Sequence, residues 1–259
     1  MASPGMLALF ATIGLGGVVT AWSRDWWESP PVTAWPASLG ALLLFLVSAI
    51  WHEMGHAAAL ARRGYPPGRM GLGVMVVIPV LFVDVTAIGL LPPPRRISVN
   101  AAGVCFQAGL GGMYVFMGES AGGGWFRDAG QLAAGSVLAA ILWSLWPFIR
   151  SDGYWLAADL LGVPGLDRPL SSRTTRVARL GVLAHRIANL IFIVAIATVI
   201  PGALGTRLVG AGPPGIAIAV LVTGLVWWGA VVRTMRLAAT IRRDFLVRPK
   251  SPPACPPPR

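Results

Sequence analysis

Charged residues are scarce in this sequence: Asp, Glu, Lys and Arg make up 12% of its 259 residues. The mean hydropathy is +0.69, which excludes an ordinary soluble enzyme and indicates a polytopic membrane protein. A formal charge of +11 could suggest nucleic acid. The arginines, however, lie between apolar runs and not in one basic patch. We therefore expect no nucleic-acid partner and interpret the charge as a determinant of orientation in the lipid bilayer.

Cysteine is nearly absent, since only Cys105 and Cys255 occur. Cys105 falls in an apolar run and Cys255 in a Pro-rich tail, which excludes a disulfide framework and a cysteine zinc site. Basic residues are also missing before the first apolar run, Met6–Trp22. A cleaved signal peptide normally begins with positive charge, so we expect this run to be a retained helix.

Apolar segments long enough to cross a bilayer, or nearly so, dominate the rest of the chain. Together with the first run they are Met6–Trp22, Trp35–Ala61, Ile97–Met117, Leu132–Ile149, Ile187–Ala203 and Gly215–Val232. We predict an all-α polytopic membrane protein with about six transmembrane helices. Residues 1–241 would form a single membrane domain with its core at about 36–167, and residues 242–259 a Pro-rich, disordered tail.

The distribution of basic residues predicts the orientation. With the N-terminus in the cytoplasm, all of the 21 Lys and Arg residues except Arg24, Arg127 and Arg207 fall on the cytoplasmic side. The positive-inside rule therefore places both termini in the cytoplasm. The second span then runs inward, and its C-terminal half lies toward the cytoplasm.

The segment Gly71–Leu91 differs from the spans, because it is rich in β-branched residues and is interrupted by Pro79. A helix here would move Arg95 and Arg96 to the outside. We expect a re-entrant β-hairpin, with backbone buried in protein or lining a cavity. Asp84 within it would be a structural hydrogen-bond acceptor or a wall of the active-site cavity, and the cost of an unpaired charge favours the structural role.

The second span contains the chemistry-bearing motif, His52-Glu53-Met54-Gly55-His56. Two histidines four residues apart on a helix lie about 40° apart around its axis, so both imidazoles can reach one metal ion. Glu53 follows the first histidine, where its carboxylate can act as a base without binding the metal. This is the arrangement of zinc hydrolases. Ionisable groups inside a bilayer are expensive and usually functional, which strengthens the interpretation.

A catalytic zinc ion takes three protein ligands and keeps one position open. Most of the ten acidic residues lie on the wrong side or in the wrong region. Asp84 and Asp152 remain, and Asp152, at the end of the fourth span, is better placed. Gly153 beside it would let the backbone turn, so that the carboxylate points into the bundle.

Two polar residues of the third span, Asn100 and Gln107, lie seven apart and share a helix face. They could bond a neighbouring helix or face the metal site. We retain both, together with Asp84, as candidate substrate-binding residues.

The chain resembles the site-2 proteases, which are intramembrane zinc metalloproteases. In that family a His-Glu-x-x-His helix is paired with an Asp-Gly at the end of a later core helix, here Asp152-Gly153. The resemblance covers about Leu39 to Asp167. It implies one Zn²⁺ per chain held by His52, His56 and Asp152, Glu53 as catalytic base, and a β-hairpin after the motif helix.

The segments Pro79–Thr86 and Pro147–Trp155 look more like one branch, the bacterial peptide zinc metalloproteases of peptide maturation and export. The family pattern is not complete. Val104 replaces the proline of Ala-Gly-Pro, Gln107 stands where the family has Asn, and Trp146 stands where an Asn often precedes proline. No PDZ or CBS module is present, so substrate selection would come from the core or from partners.

The resemblance implies a zinc endopeptidase of the bacterial cytoplasmic membrane, with its active site toward the cytoplasm. Its substrate would be a membrane-associated peptide precursor, cut during maturation or export, and its partners would be the bilayer and maturation or export proteins. The alternatives are cleavage of a membrane-anchored regulator, and a non-catalytic metal-binding membrane protein such as a transporter subunit or immunity factor. Internal symmetry would favour a transporter, and the sequence shows none.

Overall fold

The computed structural model describes residues 2–26, 35–75, 78–171, 174–208 and 212–246. This part of the chain is mostly helical, with one hairpin and a short 3-10 helix at Thr86–Leu90. The helices are α1 (Pro4–Ser23), α2 (Trp35–Arg62), α3 (Pro93–Ser120), α4 (Trp125–Ser144), α5 (Asp152–Leu160), α6 (Arg176–Leu208) and α7 (Gly212–Leu246). The strands are β1 (Met70–Met75) and β2 (Ile78–Val83).

Five of the described helices are long and apolar enough to cross a membrane: α1, α2, α3 and the larger parts of α6 and α7. Large apolar side chains lie on their outer surfaces, with Leu15 65% and Val220 67% exposed, as expected where lipid replaces water. These helices support the prediction of a helical membrane protein. The predicted span Leu132–Ile149 begins inside α4 and continues past its end, and α4 is not one of the five. The count of six spans therefore stays a prediction.

The chain divides into two compact units, Met1–Leu160 and Leu161–Arg259. The first contains α1 to α5 and the hairpin, whereas the second contains α6 and α7, which pack against each other. The predicted tail begins at 242, but α7 continues to Leu246. Residues 247–259 of that tail lie outside the described residues. The prediction of a single membrane domain is not tested by this division.

In the first unit α3 lies against α1, α2, α4 and α5. Small residues allow this close packing: a Cβ on Gly14 of α1 would lie 2.8 Å from the carbonyl oxygen of Ala108 on α3. Gly17, one turn later, meets Gly112 in the same way. Without a hydrophobic driving force between helices in lipid, backbone contact of this kind is a main source of helix association.

The predicted hairpin is present, as an antiparallel pair with register Met70↔Val83 through Met75↔Ile78. Asp84, just after β2, directs its backbone toward β1, because its N–H donates to Arg69 and its carbonyl accepts from Gly68. Successive residues alternate, so the backbone groups of Val83 point to the opposite, outer edge. Pro79 shares that orientation, and its missing N–H therefore costs no ladder bond.

Candidate metal centre

Helix α2 places His52 and His56 one turn apart on the face that packs against α3. Both side chains are buried, with 7% and 6% of their surface exposed. Their Nε2 atoms are 3.1 Å apart. The spacing that the motif predicted on an isolated helix is therefore retained in the folded unit, and the two imidazoles share one point in space.

A carboxylate from far along the chain reaches the same point. Asp152, the first residue of α5, places Oδ2 3.0 Å from His52 Nε2 and Oδ1 3.4 Å from His56 Nε2. The ligand atoms of the three residues all lie within 4.8 Å of one another. His52, His56 and Asp152, here called the triad, could hold a metal ion.

The outer nitrogen of each imidazole also has a partner. His56 Nδ1 lies 2.8 Å from the carbonyl oxygen of Val99, and His52 Nδ1 lies 3.0 Å from Oε1 of Gln107. A carbonyl oxygen can only accept, so His56 Nδ1 carries the hydrogen. A neutral imidazole has one N–H, which leaves the His56 Nε2 lone pair pointing at the centre of the triad.

The triad therefore brings electron-pair donors face to face. A carboxylate and an inward imidazole lone pair repel one another unless a cation lies between them. A proton on an imidazole could supply that charge, and so could a metal ion. Metal-binding histidines typically donate their outer N–H to a carbonyl or carboxylate oxygen, as both histidines can here.

Glycines on both helices leave room for this arrangement. A Cβ on Gly103 of α3 would lie 2.8 Å from His52 Nε2 and closer still to His56 Nε2. A Cβ on Gly55 of α2 would lie 2.7 Å from the carbonyl oxygen of Ala102. Gly55 thus permits the approach of the helices, and Gly103 keeps the space in front of the imidazoles open. Sequence reasoning assigned neither residue to the site, although Gly103 directly precedes Val104, the residue that replaces the proline of the family's Ala-Gly-Pro.

Glu53 extends from α2 to the hairpin, where its Oε2 accepts a hydrogen bond of 2.8 Å from the backbone N–H of Val83. This N–H belongs to the outer edge of β2. The general base expected from the motif is therefore held by the edge of the hairpin, next to the triad. Sequence reasoning predicted the hairpin but missed this contact.

Asn100 and Gln107 have different surroundings. Nδ2 of Asn100 donates to Oδ2 of Asp159 over 2.8 Å, and Arg96 Nε lies 2.8 Å from the other oxygen of the same carboxylate. Asn100 thus belongs to the contact between α3 and α5, which holds the helix that begins with Asp152. Gln107 borders the triad through His52. Both stay candidates for substrate binding, but their contacts in this structure are with protein.

Asp84 caps the chain after the hairpin. Its carboxylate accepts hydrogen bonds from the hydroxyl and the backbone N–H of Thr86. These bonds lower the pKa of Asp84, whose carboxyl is not buried by other residues. The contacts agree with the structural role that the cost of an unpaired charge favoured.

Gly153 has a different role from the one expected. It lies inside α5 and is not among the described residues with positive φ. A Cβ at this position would overlap the backbone of Leu145. The glycine is therefore needed for close packing of α5 against the end of the preceding helix, and not for a turn.

A comparison of the chain with family models, with curated protein sequences and with solved structures finds no match. Any function must therefore be argued from the geometry of the site and from the resemblance of its motifs.

Proposed function

We propose that this protein is a membrane-embedded zinc endopeptidase similar to the site-2 proteases. The observation that carries the proposal is the triad: two buried imidazoles and one carboxylate converge from α2 and α5, with their outer hydrogen-bonding groups satisfied. Beside it, Glu53 supplies a second carboxylate that contacts none of the three through a described hydrogen bond and instead accepts from Val83.

The triad fits zinc in ligand number, type and spacing. Catalytic zinc takes three protein ligands, often two histidines and an acid. Bonds of about 2.0–2.1 Å in tetrahedral geometry separate neighbouring ligand atoms by about 3.3 Å. The two Nε2 atoms are 3.1 Å apart. His52 Nε2 lies 3.0 Å from Oδ2 of Asp152 and His56 Nε2 lies 3.4 Å from Oδ1, so each imidazole faces one oxygen of the carboxylate. Gly103 supports the same interpretation, because a Cβ at this position would project toward both Nε2 atoms and fill the space in front of them.

When bound, zinc would supply a Lewis acid that polarises the scissile carbonyl and promotes deprotonation of water. Glu53 would accept the proton from the attacking water and deliver it to the leaving amine. Its carboxylate is suited to this because it belongs to the same helix turn as the ligands but is not one of them. Glu53 is therefore proposed as the catalytic base, and His52, His56 and Asp152 as ligands.

The hairpin would present the substrate. In our proposal it is re-entrant, and the outer edge of β2 accepts an unwound segment as an added strand. Val83 lies on this edge and donates its N–H to Glu53. A substrate strand that takes this N–H would release the Glu53 carboxylate, so that occupancy of the edge and availability of the base are coupled.

The charge distribution supports a site toward the cytoplasmic face of a bacterial membrane, with both termini in the cytoplasm. A peptide precursor is the favoured substrate, because the motifs look more like the peptide-maturation branch. Cleavage of a membrane-anchored regulator would use the same chemistry. Maturation or export proteins would be the partners.

The decisive experiment is Glu53→Gln, studied with purified protein in detergent or vesicles. We expect one equivalent of zinc by elemental mass spectrometry in both wild type and variant. Cleavage of candidate precursor peptides, followed by mass spectrometry, should fall by at least about 1,000-fold, since the general base is lost without loss of metal. Unchanged cleavage in the variant would remove the role of Glu53.

The second class, a non-catalytic metal-binding membrane protein, is favoured if wild-type protein retains zinc but cleaves no candidate peptide. If the wild-type protein binds no metal, the endopeptidase and the non-catalytic metal-binding protein are both excluded, and the imidazole–carboxylate contact is an internal ion pair.

A further inference from the structure

The two imidazoles of the triad are oriented in different ways. The partner of His56 Nδ1 is a backbone carbonyl oxygen, that of Val99, which can only accept. The partner of His52 Nδ1 is the side-chain amide of Gln107. An amide presents either an oxygen or an NH₂ group, depending on its rotation. The position of the hydrogen on His52 therefore depends on which end of Gln107 faces it.

The consequence for metal binding is large. If the amide oxygen faces His52, Nδ1 carries the hydrogen and the Nε2 lone pair points into the triad. If the NH₂ group faced His52, the hydrogen would lie on Nε2, directed at His56 Nε2, which is 3.1 Å away. In that tautomer His52 could not bind a metal through Nε2.

A second contact selects the productive rotation. Nε2 of Gln107 lies 3.5 Å from Oγ of Ser48, at the long limit of a hydrogen bond. The Ser48 hydroxyl donates its own hydrogen to the carbonyl oxygen of Phe45 over 2.7 Å. Its oxygen is therefore left as an acceptor, which suits the amide NH₂ group and not the amide oxygen.

Burial makes this selection effective. Ser48 is 0% and Gln107 3% exposed, so bulk water cannot take the place of either partner. A buried donor or acceptor without a partner costs about 1–3 kcal/mol. Rotation of the amide would leave the Gln107 oxygen facing the Ser48 oxygen, whose hydrogen is donated to Phe45, so this contact would be mismatched.

We infer that Ser48 and Gln107 are positioning residues that hold His52 in its metal-binding tautomer. The sequence of donors runs from His52 Nδ1–H to Gln107 Oε1, from the Gln107 NH₂ group to Ser48 Oγ, and from the Ser48 hydroxyl to Phe45. This inference rests on the proposed zinc site and assigns Gln107 a task other than contact with substrate.

The test compares Gln107→Leu with Gln107→Glu by their affinity for zinc, measured by competition with a chelator. Leu has similar size but no acceptor, and we expect affinity to fall about 10- to 100-fold, the usual effect of losing an outer-shell partner. Glu keeps an acceptor oxygen, and we expect affinity within about threefold of wild type, or tighter. A purely structural role predicts the reverse order, because a buried carboxylate is harder to accommodate than leucine.

Gln131→Leu is the matched control, since Gln131 is a buried glutamine of α4 whose amide donates to the backbone carbonyl of Trp26. We expect it to lower thermal stability but not zinc affinity. Ser48→Ala should weaken zinc binding severalfold, whereas Ser136→Ala, which loses only a bond to its own helix, should not. The absorption of bound Co²⁺ should shift in Gln107→Leu and stay unchanged in Gln131→Leu.

Equal zinc affinity in wild type and Gln107→Leu would overturn the inference and leave the zinc site intact. If Gln107→Leu does not fold, Gln107→Glu decides: retained affinity supports the positioning role, and a loss greater than tenfold rejects it. Absence of zinc binding by the wild-type protein would instead be a failure of the proposed function itself.

Discussion

Two carboxylates of the first unit, Glu119 and Asp152, can be compared, because each meets partners from distant parts of the chain and the partners differ in kind. Glu119, near the end of α3, lies 3.6 Å from both the Arg24 and Arg127 guanidinium groups and accepts a hydrogen bond from the Trp26 indole N–H. Asp152 faces the Nε2 atoms of His52 and His56.

The two clusters differ in which groups supply the positive charge. At Glu119, two guanidinium groups supply the positive charge and the Trp26 indole supplies a hydrogen bond. Groups of the protein therefore balance this carboxylate, and the cluster joins the ends of helices. At Asp152, the His56 nitrogen presents a lone pair when its imidazole is neutral, because its hydrogen is committed to Val99. Burial of polar groups therefore does not by itself mark a binding site. A convergence of acceptors calls for a cation, which in our proposal is a metal ion.

The largest expected effect comes from exchanging each acid for its amide. Asp152→Asn should lower zinc affinity by at least about 100-fold, beyond the usual range for an outer-shell partner, because a ligand is lost. Glu119→Gln should leave zinc affinity unchanged and cost up to about 1 kcal/mol of stability, as for a partly exposed ion pair. Chelator competition measures the zinc affinity of the two variants, and thermal unfolding measures their stability. Loss of zinc in Glu119→Gln would erase the distinction between the clusters.

A somewhat smaller effect is expected from adding a methyl group to α3 at each cluster. Gly103→Ala would place a Cβ against the triad nitrogens, whereas Gly118→Ala would place one 2.8 Å from the Trp26 ring. Gly103→Ala should weaken zinc binding by about 10- to 100-fold, comparable to the loss of an outer-shell partner. Gly118→Ala should cost about 1–3 kcal/mol of stability through overpacking and keep its zinc. Unchanged zinc affinity in Gly103→Ala, or loss of zinc in Gly118→Ala, would contradict the role of Gly103 in keeping the space in front of the imidazoles open.

The smallest effect concerns the carboxylate of Glu53, whose described donor is the single N–H of Val83. Val83→Pro and Leu81→Pro each remove one N–H from the outer edge of β2. Leu81→Pro should raise KM about fivefold, since one hydrogen bond is worth about 1 kcal/mol. Val83→Pro should raise KM less, because its N–H bonds Glu53 in the free protein and that bond no longer has to be broken when the substrate strand is added. Steady-state kinetics on a cleaved peptide measures KM, and equal increases in the two variants would refute the coupling.

Local patterns predicted much of the site. His52 and His56 share a face because the helix repeat puts them there, and the apolar run around them indicates a spanning helix. Pro79 and the β-branched run indicated the hairpin, which is present. Asp152 was predicted as the third ligand from its place at the end of a later apolar segment and from the family resemblance. Spacing along the chain cannot show which acid lies close to α2.

The remaining features depend on how α2, α3, the hairpin and α5 pack together. No local sequence pattern indicates the roles of Gly103, the Val99 carbonyl, Ser48 or the contact between Glu53 and Val83. Each of these acts only through a neighbour from another element. Gly153 was explained wrongly for the same reason, as its role is packing against Leu145 and not a turn.

The sequence by itself determined the helical membrane character, the two imidazoles and the neighbouring glutamate, because hydropathy and helix repeat act over short stretches of chain. The tertiary structure decided which acid joins the imidazoles, where their hydrogens lie and what holds Glu53. Those properties are set by distances of about 3 Å between atoms from separate elements, within normal hydrogen-bond range. Only the packed unit brings such atoms together.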